Sequence, residues 1–228
     1  MDIKQLKIIY RQIAKPLRFS TAIMVLLAFS ACQKTEVTYF PNGNKKTEFN
    51  YKGDDYHGVC IWYYKNGKKK MVSHFDEGQL DGKLIRYYYN GGKEAFENYE
   101  NGMLEGKSIK YFTNGRKKQM ETYHKDTLDG EYRVWYRNGE VKIQGAFNDG
   151  LYQGKWVWWS SFGTKTGEAE FNNGNGVQVS WYVNGNKMRE VPYKNNKKHG
   201  KAVHYTKQGN IEKKIFYENG NVVKEKTP

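Results

Sequence analysis

One glycine returns along this chain with almost no variation: Gly43, Gly67, Gly91, Gly115, Gly139, Gly163, Gly185 and Gly209. The interval is 24 residues throughout, except for 22 between Gly163 and Gly185. A chain that repeats itself at such a period builds one small unit many times, and each unit buries its apolar face only against its neighbours. Asn precedes six of the eight glycines; Phe162 and Gln208 precede the other two. Four residues before each glycine stands an aromatic: Tyr39, Tyr63, Tyr87, Tyr111, Trp135, Trp159, Trp181 and Tyr205. Eight residues after it stands another, from Tyr51 and Phe75 to Tyr193 and Tyr217. Nine residues before it, in every unit but the first, lies a second glycine: Gly58, Gly82, Gly106, Gly130, Gly154, Gly176 and Gly200.

Asn-Gly between strand-forming runs predicts a β-hairpin, with a type I′ turn that needs positive φ at both central residues. A two-residue turn pairs the aromatic at +8 with the glycine at −9, so that a ring covers bare backbone. A β-branched residue recurs at −6, with Arg133 as the exception, and shares a strand face with the −4 ring. The +8/−9 pair falls on the opposite face under strict alternation. Either both faces are partly apolar or a bulge intervenes. The two residues missing from the short unit fall in the connector between Phe171 and Gly176. Composition agrees with short strands and tight turns: 16% aromatic residues, 24 Gly, 4 Pro and a mean hydropathy of −0.92. The fold expected is all-β, a single-layer array of about eight antiparallel hairpins, closed by a last segment "ENGNVVKEKTP".

The N-terminus reads differently. Residues 1–18 are polar and basic, "FSTAIMVLLAFSA" (19–31) is apolar and ends in small residues, and Cys32 follows. A basic region, a short apolar region and small residues describe an export signal. The apolar run is about 13 residues, short of the roughly 20 that span a bilayer as a helix. "FSAC" resembles the bacterial lipobox, with Phe29 where Leu is usual. That resemblance implies a diacylglycerol on the Cys32 thiol, with Cys32 the new N-terminus after cleavage; an ordinary secretory signal with a chance Cys is the alternative. The expected division is a lipoprotein signal peptide over 1–31, a tether over 32–35 and a repeat domain over 36–228. Cys60 is the only other cysteine, so a lipidated Cys32 leaves it unpaired and the domain without a disulfide.

The stretches "DGEYRVWYRNG" and "QGKWVWWSSFG" look like the MORN repeat variant of bacterial proteins. The resemblance runs from Glu36 to about Tyr217. It implies an elongated single layer of antiparallel hairpins and a role in membrane-associated scaffolding or protein binding. Some bacterial members are antitoxins, which implies an alternative reading as an antitoxin or immunity protein.

No catalytic, cofactor-binding or metal-ligating constellation is visible. His57, His74, His124, His199 and His204 show no paired spacing with acids. His57 and His199 occupy a connector slot held elsewhere by Asp81, Glu105, Asp129, Gln153 and Asn175, which reads as a turn position. The chain is therefore read as a non-enzymatic binding protein. Its formal charge is +14, and residues 32–228, with 33 basic against 23 acidic groups, still carry +10.

Two surfaces stand out. Lysines and arginines follow the turns, among them Lys69, Arg116 and Lys117. They form a row that either guards strand edges or contacts anionic lipid or an acidic partner. Trp62, Trp156 and Trp158, with Tyr64, Tyr88, Phe112, Tyr136 and Tyr182 at −3, either complete a thin core or form an exposed strip for a peptide or glycan. The partners expected are a membrane through Cys32 and a protein, with anionic lipid or glycan as alternatives. Nucleic acid is not expected of an exported, tethered chain. The location expected is the bacterial cell envelope.

Overall fold

The computed structural model describes residues 33–228; the expected signal peptide and Cys32 lie outside them. The described chain has no helix, and its 21 strand segments form one antiparallel sheet. Segments pair in chain order, from Gln33–Tyr39 on Lys45–Lys52 to Ile211–Glu218 on Asn221–Lys226, so the tail after Tyr217 adds a last strand. The first strand opens at Gln33. Residues 33–35, expected in a tether, already pair with Asn50–Lys52.

The expected pairing of −9 glycine with +8 aromatic is present throughout, as in Gly58 with Phe75, Gly130 with Phe147 and Gly200 with Tyr217. It arises by another route than a type I′ turn. The Gly67 N–H donates to the Tyr64 carbonyl at 2.9 Å, and the Tyr64 N–H to the Lys68 carbonyl at 2.8 Å. Only Gly67 in this loop has positive φ, +80°. That is a three-residue loop, a type I turn with a glycine bulge. Its odd length shifts register by one. An extra residue at Lys70, between the pairs Tyr63–Lys69 and Trp62–Met71, shifts it back. The same extra residue recurs at Lys46, Glu94, Lys118, Lys142, Thr166, Met188 and Glu212.

Type I′ turns do occur, but between units. Glu77-Gly78, Asn101-Gly102, Asp149-Gly150 and Asn173-Gly174 have positive φ at both positions. After a full-length connector two further residues bulge out. Phe75 pairs with Leu80, yet Ser73 pairs with Leu84, and Gly82 inside the bulge has φ +100°. In the short unit, pairing runs unbroken from Asn172–Asn175 to Gly167–Ser180. The two missing residues are this bulge.

The main core lies on the face opposite the −4 and −6 residues, here called the inner face. It is built from −7 (Cys60, Leu84, Trp156, Ala202), +6 (Ser73, Glu97, Ala169, Val191, Ile215) and +8 (Tyr99, Phe171), all buried. The outer face keeps the −4 rings, which are more open; Tyr39 is 60% exposed. Both alternatives left open by the sequence therefore hold: bulges are present, and both faces are partly apolar.

Neighbouring units are stitched along both edges of the sheet. On the turn edge, hydroxyls of Tyr64, Tyr88, Tyr136 and Tyr182 donate to the carbonyls of Tyr87, Tyr111, Trp159 and Tyr205 in the next unit, at 2.6–2.8 Å. The turn asparagine bridges locally and across: Asn138 Oδ1 accepts from the Glu140 N–H at 3.1 Å, and its Nδ2 donates to the Ser161 carbonyl at 2.8 Å. On the connector edge, the Gly78 N–H donates to the Tyr56 carbonyl and the Gly102 N–H to the Leu80 carbonyl, and so on along the array.

Candidate functional site

The inner face changes character along its length. The first two units pack rings together, with Phe49 and Trp62 centroids 4.6 Å apart and Tyr56 5.3 Å from Phe75. The next two carry charge. Arg86 grips Glu97 with two hydrogen bonds, 2.7 and 3.1 Å, and the Tyr99 hydroxyl donates to the same carboxylate at 3.2 Å. Glu97 is 2% exposed, so its charge is held by that fork. Lys110 and Glu121 repeat the pair more loosely, at 3.6 Å. Beyond them rings take over again.

There a groove of about 300 Å³ opens, lined by Leu128, Tyr132, Ile143, Phe147, Tyr152, Trp156, Trp158, Phe171 and Tyr193, with Glu121 and Gln178 among them. The local reason is a size alternation between strands. Gly145 stands at +6, where other units carry larger side chains, and the Trp156 indole lies flat in the space. A Cβ on Gly145 would fall 2.2–2.7 Å from its ring carbons. The Trp156 Nε1 donates to the Ala146 carbonyl at 3.1 Å. Trp158 stacks on Trp156 with centroids 6.1 Å apart, and Tyr152 meets Trp156 edge-on at 4.7 Å. These contacts fix the rings from below and leave Trp158, Tyr152 and Tyr193 half-buried at the opening.

The polar groups around the groove are unevenly satisfied. Glu121 accepts from Gln119 Nε2 at 2.8 Å and lies beside Lys110. Gln178 Oε1 accepts from the Tyr193 hydroxyl at 3.2 Å. Among the described residues, the Tyr132 and Tyr152 hydroxyls have no hydrogen-bond partner, and they are not sealed from solvent. Burial first, then the Glu121 charge, pushes the Tyr132 phenol up; burial does the same for Tyr193. Tyr132 and Tyr193 are therefore neutral phenols at ordinary pH, able to donate.

The aromatic residues singled out in the sequence do not form one exposed strip. Trp156 is 4% exposed and belongs to the core. Trp158 lines the groove, whereas Trp62 lies in the first ring cluster, beyond the two charged units. The −3 tyrosines stitch units together. Lys69, Arg116 and Lys117 lie at the turn edge, Lys69 paired with Tyr63 next to Trp62 and the other two on the fourth turn. Arg116 donates to the Asn138 carbonyl of the next turn, and the Lys117 ammonium sits 5.8 Å from the centre of the Trp135 ring.

The connector slot has a role that variety of residue type conceals. Asp81, Glu105, Gln153 and Asn175 each accept from a backbone N–H of the following connector, at Asn101, Lys125, Asn173 and Asn195. What these side chains share is an acceptor oxygen, and that was the available signal. The two edges also differ in charge. The eight turns, each from three residues before its glycine to three after, hold 15 basic and 3 acidic groups. The first five connectors, residues 52–57, 76–81, 100–105, 124–129 and 148–153, hold 2 basic and 10 acidic groups.

Stitched hairpins on a single sheet, with ring clusters, a charged stretch and a groove along one face, define a hairpin-repeat protein of the binding kind. The chain belongs to the MORN repeat variant family: the family pattern matches residues 33–52, 56–77, 128–149, 175–195, 198–219 and 210–227. No curated protein matches the chain. Glu121, Trp156, Trp158 and Phe171 all fall in stretches between the family matches.

Proposed function

We propose that this is a lipid-anchored, non-enzymatic protein of the bacterial cell envelope that binds a macromolecule along the inner face of its repeat domain. The groove carries this reading. It is the place where rings, hydroxyls, an amide and a carboxylate converge without closing on one another, and such convergence is the usual mark of a ligand site. The lipobox-like "FSAC" supplies the anchor.

Geometry also bears on orientation. Gln33 pairs with Lys52 at the connector edge, so a lipid on Cys32 enters beside the acidic connectors. The basic turn edge lies across the length of the first strand, roughly 23 Å away at 3.3 Å per residue.

The test is fractionation of cells expressing the wild type and Cys32→Ser, with metabolic labelling by a radioactive fatty acid. The wild type is expected in the membrane fraction and labelled, and Cys32→Ser unlabelled and released. A Cys32→Ser protein that stays with the membrane would remove the lipid anchor from the account.

A further inference from the structure

We infer that the groove takes a neutral carbohydrate, with a pyranose ring stacked on Trp158 and its hydroxyls held by Tyr132, Tyr152, Glu121 and Gln178. The inference rests on the reading of the groove as the ligand site and names its ligand.

Charge and polarity decide between ligand classes. An apolar ligand would cover the Tyr132 and Tyr152 hydroxyls without offering them partners, which is unfavourable for each group left unmade. An anion would meet the Glu121 carboxylate. A cation would find that carboxylate already beside Lys110 at 3.6 Å and accepting from Gln119 at 2.8 Å, with little charge left to attract it. A neutral polyhydroxylated ring fits what remains. Its C–H face packs on the half-buried indole of Trp158. Its hydroxyls donate to the Glu121 and Gln178 oxygens and accept from the Tyr132 and Tyr152 hydroxyls, which have no hydrogen-bond partner among the described residues. The volume, about 300 Å³, is at the small end for ligand sites and suits a short segment of a longer chain. The open groove allows that chain to continue past the ring-binding position.

The experiment is a tryptophan-fluorescence titration of the full chain in detergent. The probes are short glucose and N-acetylglucosamine oligomers, with tetramethylammonium chloride as the cationic comparison. At least one oligosaccharide is expected to give a saturable change with Kd near or below about 1 mM, the range of weak ligands. Trp158→Ala is expected to weaken it about tenfold or more, Tyr152→Phe about threefold or more, and Trp62→Ala less than about twofold. Tyr152→Phe removes one hydroxyl from a packed ring, so it carries the test if Trp158→Ala does not fold. The inference is overturned if no oligosaccharide saturates, if neither groove variant changes the affinity, or if tetramethylammonium binds in preference. Such a result leaves the lipid anchor standing, because fatty-acid labelling reads that separately.

Discussion

At the scale of single residues, the turn asparagines act through both ends of their amide. A hydrogen bond of this kind contributes about 1 kcal/mol net. Asn138→Ala removes one inside its turn and one to the next unit, and is expected to lower stability by about 1–2 kcal/mol in urea unfolding. Gln208, at the same position of the eighth turn, makes no side-chain hydrogen bond among the described residues, and Gln208→Ala should stay within about 0.5 kcal/mol. Equal losses would show that the bonds between turns contribute nothing. The Arg86–Glu97 pair gives a sharper contrast. Arg86→Met strands a carboxylate that is 2% exposed and should cost about 3–5 kcal/mol. Adding Glu97→Leu should restore most of that loss, because the stranded charge is gone. A double variant as unstable as the single one would mean that shape, not charge, dominates this part of the inner face.

At the scale of elements, the bulges decide which glycines matter and why. Gly154 sits at φ +63° with open space around its Cβ position. Gly154→Ala therefore meets only left-handed backbone strain, about 1–2 kcal/mol. Gly176, in the unit without the bulge, has no positive φ, but a Cβ there would lie 2.3 Å from the Glu170 carbonyl oxygen and 2.7 Å from the Phe171 ring. Gly176→Ala should cost about 3 kcal/mol through overpacking. Thermal unfolding of the two variants ranks them; the reverse order would refute this account of the connector. The hairpins, their order and the +8/−9 pairing were legible in the sequence because period and side-chain size fix them. The turn type was not. Asn-Gly suits type I′ and the glycine bulge alike, and the opposite shifts at Gly67 and Lys70 leave the same register. Asn101-Gly102 and Asp149-Gly150 did carry the type I′ signal, in the connectors. The side that holds the core was hidden by parity, since rings occur at both −4 and +8. The groove was hidden more deeply. It depends on Gly145 facing Trp156 from a different unit, a coincidence no single repeat displays.

At the scale of the whole repeat domain, the array has one uneven joint. The sixth turn carries Ser160 and Phe162, where four of the other seven units place tyrosine and six place asparagine, and Phe162 is 93% exposed. Both turn stitches to the seventh unit are thus replaced. Asn196 compensates from the connector edge, accepting from the Tyr152 N–H at 2.8 Å and donating to the Gly150 carbonyl at 2.7 Å, 44 and 46 residues away. Asn196→Ala should raise amide exchange in residues 176–228 well above that in residues 58–123. Uniform exchange would show that the joint is held otherwise. This joint adjoins the groove, whose lining includes Gln178 and Tyr193 of the seventh unit.

On the function proposed above, partners meet the inner face at the groove and not the lysine-rich turn edge. Site-specific photocrosslinking in intact cells tests this most directly, with a photoreactive residue in place of Gln178 in one strain and of Lys69 in another. Adducts from position 178 that disappear with Trp158→Ala, and none above background from position 69, are the expected result. Adducts from position 69 alone would contradict it.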